Sequence, residues 1–274
     1  MVARDPKRVA PAVLHAESRG AGSRLVLVHG FTQNRRCWGP LPTLMEAEHE
    51  VVRVDAPGHG RSARVIAGLW ETARLLGEAG GRAVYLGYSM GGRLCLHLGL
   101  AHPDQVRAMV LVGATPGIED TAERAARAES DAQLAARLER IGTAAFLDEW
   151  LDQPIFAGLD PDAACRVERL EGSAAGLAAS LRLLGTGVQE PLWARLGQLT
   201  MPVLVLAGER DAKFAALGAR MAEAIGRNAT LALIPGAGHA AHLEQPEAFA
   251  AALRRWLRGV QEAEEIPRSL AFPH

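Results

Sequence analysis

The sequence predicts an α/β fold: a mostly parallel, twisted sheet with helices on both faces and one all-helical insertion. Three observations predict it. Short β-branched or leucine-rich runs alternate with longer alanine-rich stretches of helical period, the pattern of a parallel sheet covered by crossover helices. Between Ile118 and Leu196 that alternation stops in favour of helical segments, and it resumes at Met201-Pro202. A glycine-flanked serine, Ser89, stands where a strand pattern hands over to a helix pattern.

Taken in chain order, strands are expected at residues 24–28, 51–55, 83–88, 109–112, 203–207 and 230–234. A further strand at 13–16, turning at Arg19-Gly20-Ala21-Gly22, precedes them as an antiparallel edge. The run 93–101 after Ser89 is helical. Within the insertion, 122–138 and 177–184 are amphipathic, separated by Gln153-Pro154, Asp160-Pro161 and Gly185-Thr186-Gly187 as breakers. The expected division is therefore a core of 1–117 with 197–260, and a helical cap or lid of 118–196. A final helix at 246–257 packs on the sheet, and 261–274, acidic and then proline-containing, reads as a poorly ordered tail.

Composition narrows the function classes. Basic and acidic side chains nearly balance, 30 against 31, so there is no broad positive field for a nucleic-acid backbone. Cys37, Cys95 and Cys165 form no C-x-x-C pair, which argues against a structural zinc site or a disulfide scaffold and suits a reducing cytoplasm. Residues 1–11 hold Arg4, Asp5, Lys7 and Arg8 without the apolar core of a secretion signal, and no run has membrane-span length. The expectation is a cytoplasmic protein without nucleic-acid or membrane partners. Apart from Lys7 and Lys213 every cationic side chain is arginine, so arginines beside a motif are weighed singly, against a background of coding bias.

The most specific signal is Gly87-Tyr88-Ser89-Met90-Gly91-Gly92, a G-x-S-x-G between strand and helix. Such a turn lifts the serine hydroxyl above the carboxyl edge of the sheet, and the following helix aims N–H groups and its positive dipole end at developing negative charge. A reactive serine needs a proton acceptor, and the acceptor needs an orienting carboxylate. Asp211 and His239 supply them in the order Ser, Asp, His, each directly after a strand. Glu209 is the alternative carboxylate. His242 reads as a site-lining or helix-capping residue, His97 and His102 as ordinary helix residues, and His59 as a residue that orders a nearby loop. Ser62 lacks the elbow and is rejected as nucleophile. The segment Val28-His29-Gly30-Phe31-Thr32 ends another strand, and by position the Phe31 and Met90 backbone N–H groups form a candidate oxyanion hole.

Together these elements resemble the α/β-hydrolase superfamily over about residues 13–258, and a serine at the elbow separates the chain from members that carry aspartate there. Within it, Gly87 to Arg93, Gly208-Glu209-Arg210-Asp211-Ala212-Lys213-Phe214 and Gly238-His239-Ala240-Ala241-His242-Leu243-Glu244-Gln245-Pro246 resemble the 2-succinyl-6-hydroxy-2,4-cyclohexadiene-1-carboxylate (SHCHC) synthases of menaquinone biosynthesis. The insertion agrees, in Glu123-Arg124-Ala125-Ala126-Arg127-Ala128-Glu129-Ser130-Asp131, in Phe146-Leu147-Asp148-Glu149-Trp150 ahead of Gln153-Pro154-Ile155-Phe156, and in Leu184-Gly185-Thr186-Gly187-Val188-Gln189.

That resemblance implies a lyase on a hydrolase scaffold, eliminating pyruvate from 2-succinyl-5-enolpyruvyl-6-hydroxy-3-cyclohexene-1-carboxylate with Ser89 as base and no metal or organic cofactor. The partner is a small polycarboxylate. Motif positions imply Arg93 and Arg127 as guanidinium clamps and Tyr88 and Trp150 as further substrate contacts, with Arg124 and Arg182 in reserve. Arg127 could instead lie on a solvated helix face, and Trp150 in the core of the cap. In Glu168-Arg169-Leu170-Glu171-Gly172-Ser173 the expected position of another substrate-binding arginine carries Glu171. Either Arg169 or Arg182 compensates, the register is shifted by a residue or two, or the substrate differs. Two other readings stay open: a hydrolase of esters or vinylogous carbon–carbon bonds using the same three residues, and a ligand-binding member without turnover.

Overall fold

The computed structural model describes residues 12–265; residues 1–11, read above for a secretion signal, and 266–274 of the expected tail lie outside the described residues. The chain runs through β1 (Ala16–Arg19), β2 (Ser23–Val28), α1 (Leu41–Met45), β3 (His49–Val54), α2 (Leu69–Gly80), β4 (Ala83–Tyr88), α3 (Met90–Ala101) and β5 (Val106–Val112). The helical insertion follows, with α4 (Thr121–Leu151), α5 (Arg166–Arg169) and α6 (Ala174–Leu184). The sheet is completed by β6 (Val203–Gly208), α7 (Ala212–Ile225), β7 (Ala229–Ile234), α8 (Ala241–Glu244) and α9 (Pro246–Glu265).

Seven strands form one sheet in the order β1-β3-β2-β4-β5-β6-β7. Only β1 pairs antiparallel, with β3; the other neighbours are parallel. The strand period of two sorts the core. Val26 and Val28 join Leu76, Leu94 and Met221 under α2, α3 and α7, while Leu25 and Leu27 join Trp38, Leu41, Phe249 and Leu253 under α1 and α9. Every residue of β4 and β6 is buried, as expected for strands covered on both faces. After β3 the chain steps back across β2 to start β4, so the order reverses between β2 and β4. Ligands bind at such a switch point, beyond the carboxyl ends of the strands.

Two expectations are corrected. The edge strand lies at Ala16–Arg19 rather than 13–16, because its partners are Val51 to Val54 and it continues until Gly20, at φ 82°, turns the chain. The last helix continues to Glu265, so residues 261–265 are helix rather than tail. The stripe Leu253 and Leu257 is continued by Val260, which stays buried against the sheet beyond the expected end and carries the helix on.

Among the described residues no strand lies between β5 and β6. Helix α4 bends at Gly142, whose φ of 81° and ψ of 166° are not helical. The bend folds α4 against α6 around a small core of Ala135, Leu138, Phe146, Leu177, Ala178 and Leu181, on which Phe31 and Trp150 also pack. The insertion is thereby seated on the end of β2.

Candidate active site

Ser89 caps α3 with φ 50° and ψ −108°, a backbone that non-glycine residues adopt only under strain. The residues two positions away on each side must be glycine. A Cβ on Gly91 would fall 1.8 Å from the Val28 carbonyl oxygen, and one on Gly87 would fall 2.4 Å from the Gly91 carbonyl carbon. The Ser89 N–H donates to the Val112 carbonyl at 2.8 Å, tying the elbow to β5.

Beyond the neighbouring strands, the structure brings Asp211 and His239 to this elbow. The Ser89 Oγ–H faces His239 Nε2 at 3.3 Å, and His239 Nδ1–H donates to Asp211 Oδ2 at 2.7 Å. Asp211 also accepts from the Phe214 N–H at the start of α7, 3.2 Å away, so helix and carboxylate fix each other. Glu209 is elsewhere: its carboxylate accepts from the Gly236 N–H at 3.0 Å. Around His239 pack the rings of Phe214 at 4.5 Å and Tyr88 at 5.4 Å.

Two backbone donors of residues that line the site are unpaired. Gly30 N–H donates to Gln33 Oε1 at 3.0 Å and Thr32 N–H to His59 Nε2 at 3.3 Å, whereas Phe31 N–H and Met90 N–H have no partner among the described residues. Both residues line the same cavity as Ser89 and His239. That cavity, of about 630 Å³, lies between the sheet edge and the insertion.

Its walls carry cations, differently paired. Arg93 is 7% exposed, donates to Gln189 Oε1 at 3.1 Å, and has no carboxylate within ion-pair distance among the described residues. Burial, reinforced by Arg127, pushes its guanidinium down to about 10, still charged at neutral pH. Arg169 is 2% exposed and donates to the Ala164 carbonyl at 2.8 Å and to Thr32 Oγ1, again without a carboxylate. Arg127 lies at the cavity but is half-exposed and bound to Asp131 at 2.7 Å. Tyr88 and Trp150 also line the cavity, and the buried Trp150 Nε1–H has no partner among the described residues. Burial pushes the Tyr88 hydroxyl above its ordinary range.

Several expectations change. Glu171 does not line the cavity; Arg35 takes it at 2.9 Å and Arg61 lies at 3.7 Å. Arg169, one of the two residues expected to compensate, lines it instead. Arg182 pairs with exposed Glu139, and Arg124 donates to the Ile118 and Glu119 carbonyls, so neither faces the site. His242 lies beneath Tyr88, ring centroids 4.5 Å apart, rather than in the cavity wall.

Two carboxylates of the site are not evident from the sequence alone. Glu244 accepts from Gly238 N–H at 2.6 Å and Ala240 N–H at 3.0 Å, clamping the loop on both sides of His239. Asp131 braces Arg127 and lines the cavity. Its four-residue spacing from Arg127 on a helix was the available signal. Nothing local marks Glu244, since its partners are backbone groups of a turn.

Among the described residues no cluster of three or more histidines, cysteines and carboxylates is placed to hold a metal, and no helix is long and apolar enough to cross a membrane. The family described as "Alpha/beta hydrolase family" matches residues 25–252. The chain is similar to 2-succinyl-6-hydroxy-2,4-cyclohexadiene-1-carboxylate synthase of Enterobacter sp. (strain 638), 35% identical over 85% of this chain and 91% of that protein. The structure of MenH from S. aureus superposes with a TM-score of 0.82 at 28% identity, covering 90% of this chain and 99% of the other. A thermophilic esterase from Thermogutta terrifontis, solved with malate bound, superposes with a TM-score of 0.76 at 26% identity, covering 90% and 93%.

Proposed function

The chain belongs to the alpha/beta hydrolase family, and from that premise we propose that it is a lyase of menaquinone biosynthesis, an SHCHC synthase. Its substrate would be 2-succinyl-5-enolpyruvyl-6-hydroxy-3-cyclohexene-1-carboxylate. The observation that carries this reading is the pair Arg93 and Arg169, two buried guanidinium groups without a carboxylate partner, in the cavity that holds Ser89 and His239. A buried uncompensated charge is costly, so such groups call for anionic ligands. A neutral ester has no use for them; a tricarboxylate does. Similarity to the synthases of Enterobacter and S. aureus supports the same substrate class.

In this mechanism Asp211 holds His239 in the tautomer whose Nε2 accepts the Ser89 proton. The Ser89 oxygen then removes the ring proton next to the succinyl ketone, instead of attacking a carbonyl. Charge moves onto the ketone oxygen, where the Phe31 and Met90 N–H groups receive it. The carbon–oxygen bond to the enolpyruvyl group breaks as the ring double bond shifts to complete the diene, and the departing enolate takes up the proton held on His239 to leave as pyruvate. Arg93 and Arg169 hold carboxylates, with Arg127 at the more exposed side; Tyr88 and Trp150 complete the wall. The helical insertion serves as the cap that keeps water from the carbanion.

The test is pyruvate release from freshly prepared substrate, compared with the spontaneous rate, by the wild-type protein and Ser89→Ala. Rapid release that the variant lacks is expected. Release at the background rate alone, from protein that cleaves an activated ester through Ser89, would replace the lyase with a serine hydrolase; neither activity would leave a binding protein.

A further inference from the structure

Thr32 follows Phe31 at the end of β2, and its backbone is left-handed, with φ 66°. A β-branched residue is strained there and persists only where its surroundings over-determine it. Two side chains do so. His59 Nε2 accepts the Thr32 N–H at 3.3 Å, while His59 Nδ1–H donates to the Pro57 carbonyl at 2.9 Å, which settles the tautomer. The His59 ring is fully buried and meets the Phe31 ring edge-on at 5.7 Å. From the insertion, Arg169 Nη1 donates to Thr32 Oγ1, and the threonine is itself buried.

Arg169 faces two ways. Its Nε–H is anchored on the Ala164 carbonyl and one Nη1 hydrogen on Thr32, but Nη2 has no partner among the described residues and the side chain lines the cavity. A carboxylate that engages Nη2 therefore pulls on the same rigid guanidinium plane that holds Thr32. Thr32, pinned through its N–H and its hydroxyl, leaves the preceding residue little freedom to rotate. That residue is Phe31, which has an unpaired N–H and lines the cavity that holds Ser89.

We propose that Thr32 is a positioning residue that couples carboxylate binding at Arg169 to the orientation of the Phe31 N–H. The proposal rests on the assignment of Phe31 as an oxyanion donor. Its consequence is that the donor is aligned best when an anionic substrate occupies the cavity, so that binding energy at one end of the substrate is used at the other.

The experiment is a double-mutant cycle of Thr32→Val and Arg169→Ala on pyruvate release. Valine keeps the branched shape and lacks the hydroxyl. Losing an oxyanion donor outright costs about 100- to 1,000-fold in kcat, and a displaced donor costs less, so Thr32→Val is expected to lower kcat about tenfold. KM should stay within about twofold, because Arg169 still reaches the carboxylate. Thr32→Ser should restore kcat, and in the Arg169→Ala background Thr32→Val should cost nothing further. Unchanged kcat in Thr32→Val, or full additivity with Arg169→Ala, overturns the coupling. Should the valine variant not fold, Thr32→Ala takes its place in the cycle. If the wild-type protein releases no pyruvate above background, the lyase reading falls, and the same cycle on 4-nitrophenyl hemisuccinate decides the coupling separately: non-additive losses there uphold it and additive losses overturn it.

Discussion

Arg169 and Glu171, two residues apart at the end of α5, serve opposite sides of one wall. Arg169 reaches into the cavity that holds Ser89, whereas Glu171 is turned to Arg35 and Arg61. The arginine in the cavity wall thus stands at 169 and not at 171, and the acidic residue lies outside the cavity lining.

Truncating Arg169 should therefore raise KM for a carboxylated substrate, by about 10- to 100-fold if one charged hydrogen-bonding group is lost. Glu171→Gln should leave kcat and KM near wild type, with its effect confined to stability. Steady-state kinetics of the two variants side by side decide the matter. An impaired Glu171→Gln with a normal Arg169→Ala would reverse the assignment.

Arg93 and Arg127 should not weigh equally. Arg93 is buried and forms no ion pair among the described residues, while Arg127 is half-exposed and already paired with Asp131. Arg93→Ala is expected to raise KM about 10- to 100-fold and Arg127→Ala by less than about tenfold. A larger effect at Arg127 would mean that Asp131 releases it when substrate binds.

The carboxylate of Glu244 holds the N–H groups of Gly238 and Ala240 on both sides of His239. In Glu244→Gln the amide can replace one of these contacts but not the charge, and the loop should loosen. We expect kcat to fall about tenfold with KM little changed, since each charge-assisted hydrogen bond contributes about 1.5–3 kcal/mol and the chemistry depends on where His239 stands. A fall in substrate affinity without a fall in kcat would contradict this.

Acid should destabilise the protein well above the carboxylate range. Burial holds His29 and His97 down to about 4, and His59 and His242 down to about 3. All four are neutral in the fold, and the unfolded chain takes up their protons below about pH 6.5. The stability due to their depressed values is complete above that pH and is lost as pH falls toward 4 and 3, at up to about 1.4 kcal/mol per pH unit for each histidine. Urea unfolding at pH 7, 6 and 5 should show a falling midpoint; a flat profile would mean that these rings are not buried neutral.

Gly91→Ala should fail structurally before it fails chemically. Its Cβ would meet the Val28 carbonyl at 1.8 Å, a backbone atom of the neighbouring strand that cannot move alone. Overpacking typically costs about 1–3 kcal/mol, and a clash of the first turn of α3 with the backbone of β2 belongs at or above that upper end. The urea midpoint measures it directly, and a variant as stable as wild type would show that the start of α3 can shift away from β2.

What the sequence determined by itself is local. Strand and helix periods, the glycine-flanked elbow, and the placing of Ser89, Asp211 and His239 after three strands follow from residues within a few positions of each other. A parallel sheet then brings those strand ends to one edge. Tertiary structure decided what depends on residues far apart in the chain. Which of Arg169 and Glu171 meets the cavity was set by Arg35 and Arg61, more than a hundred positions earlier. Which N–H after the end of β2 stays unpaired was set by Gln33 and His59 taking the neighbours of Phe31. How far α9 runs was set by a sheet face that keeps Leu257 and Val260 covered. A side chain's identity states what it can bind; the partners already competing for it, known only once the chain has folded, decide what it does bind.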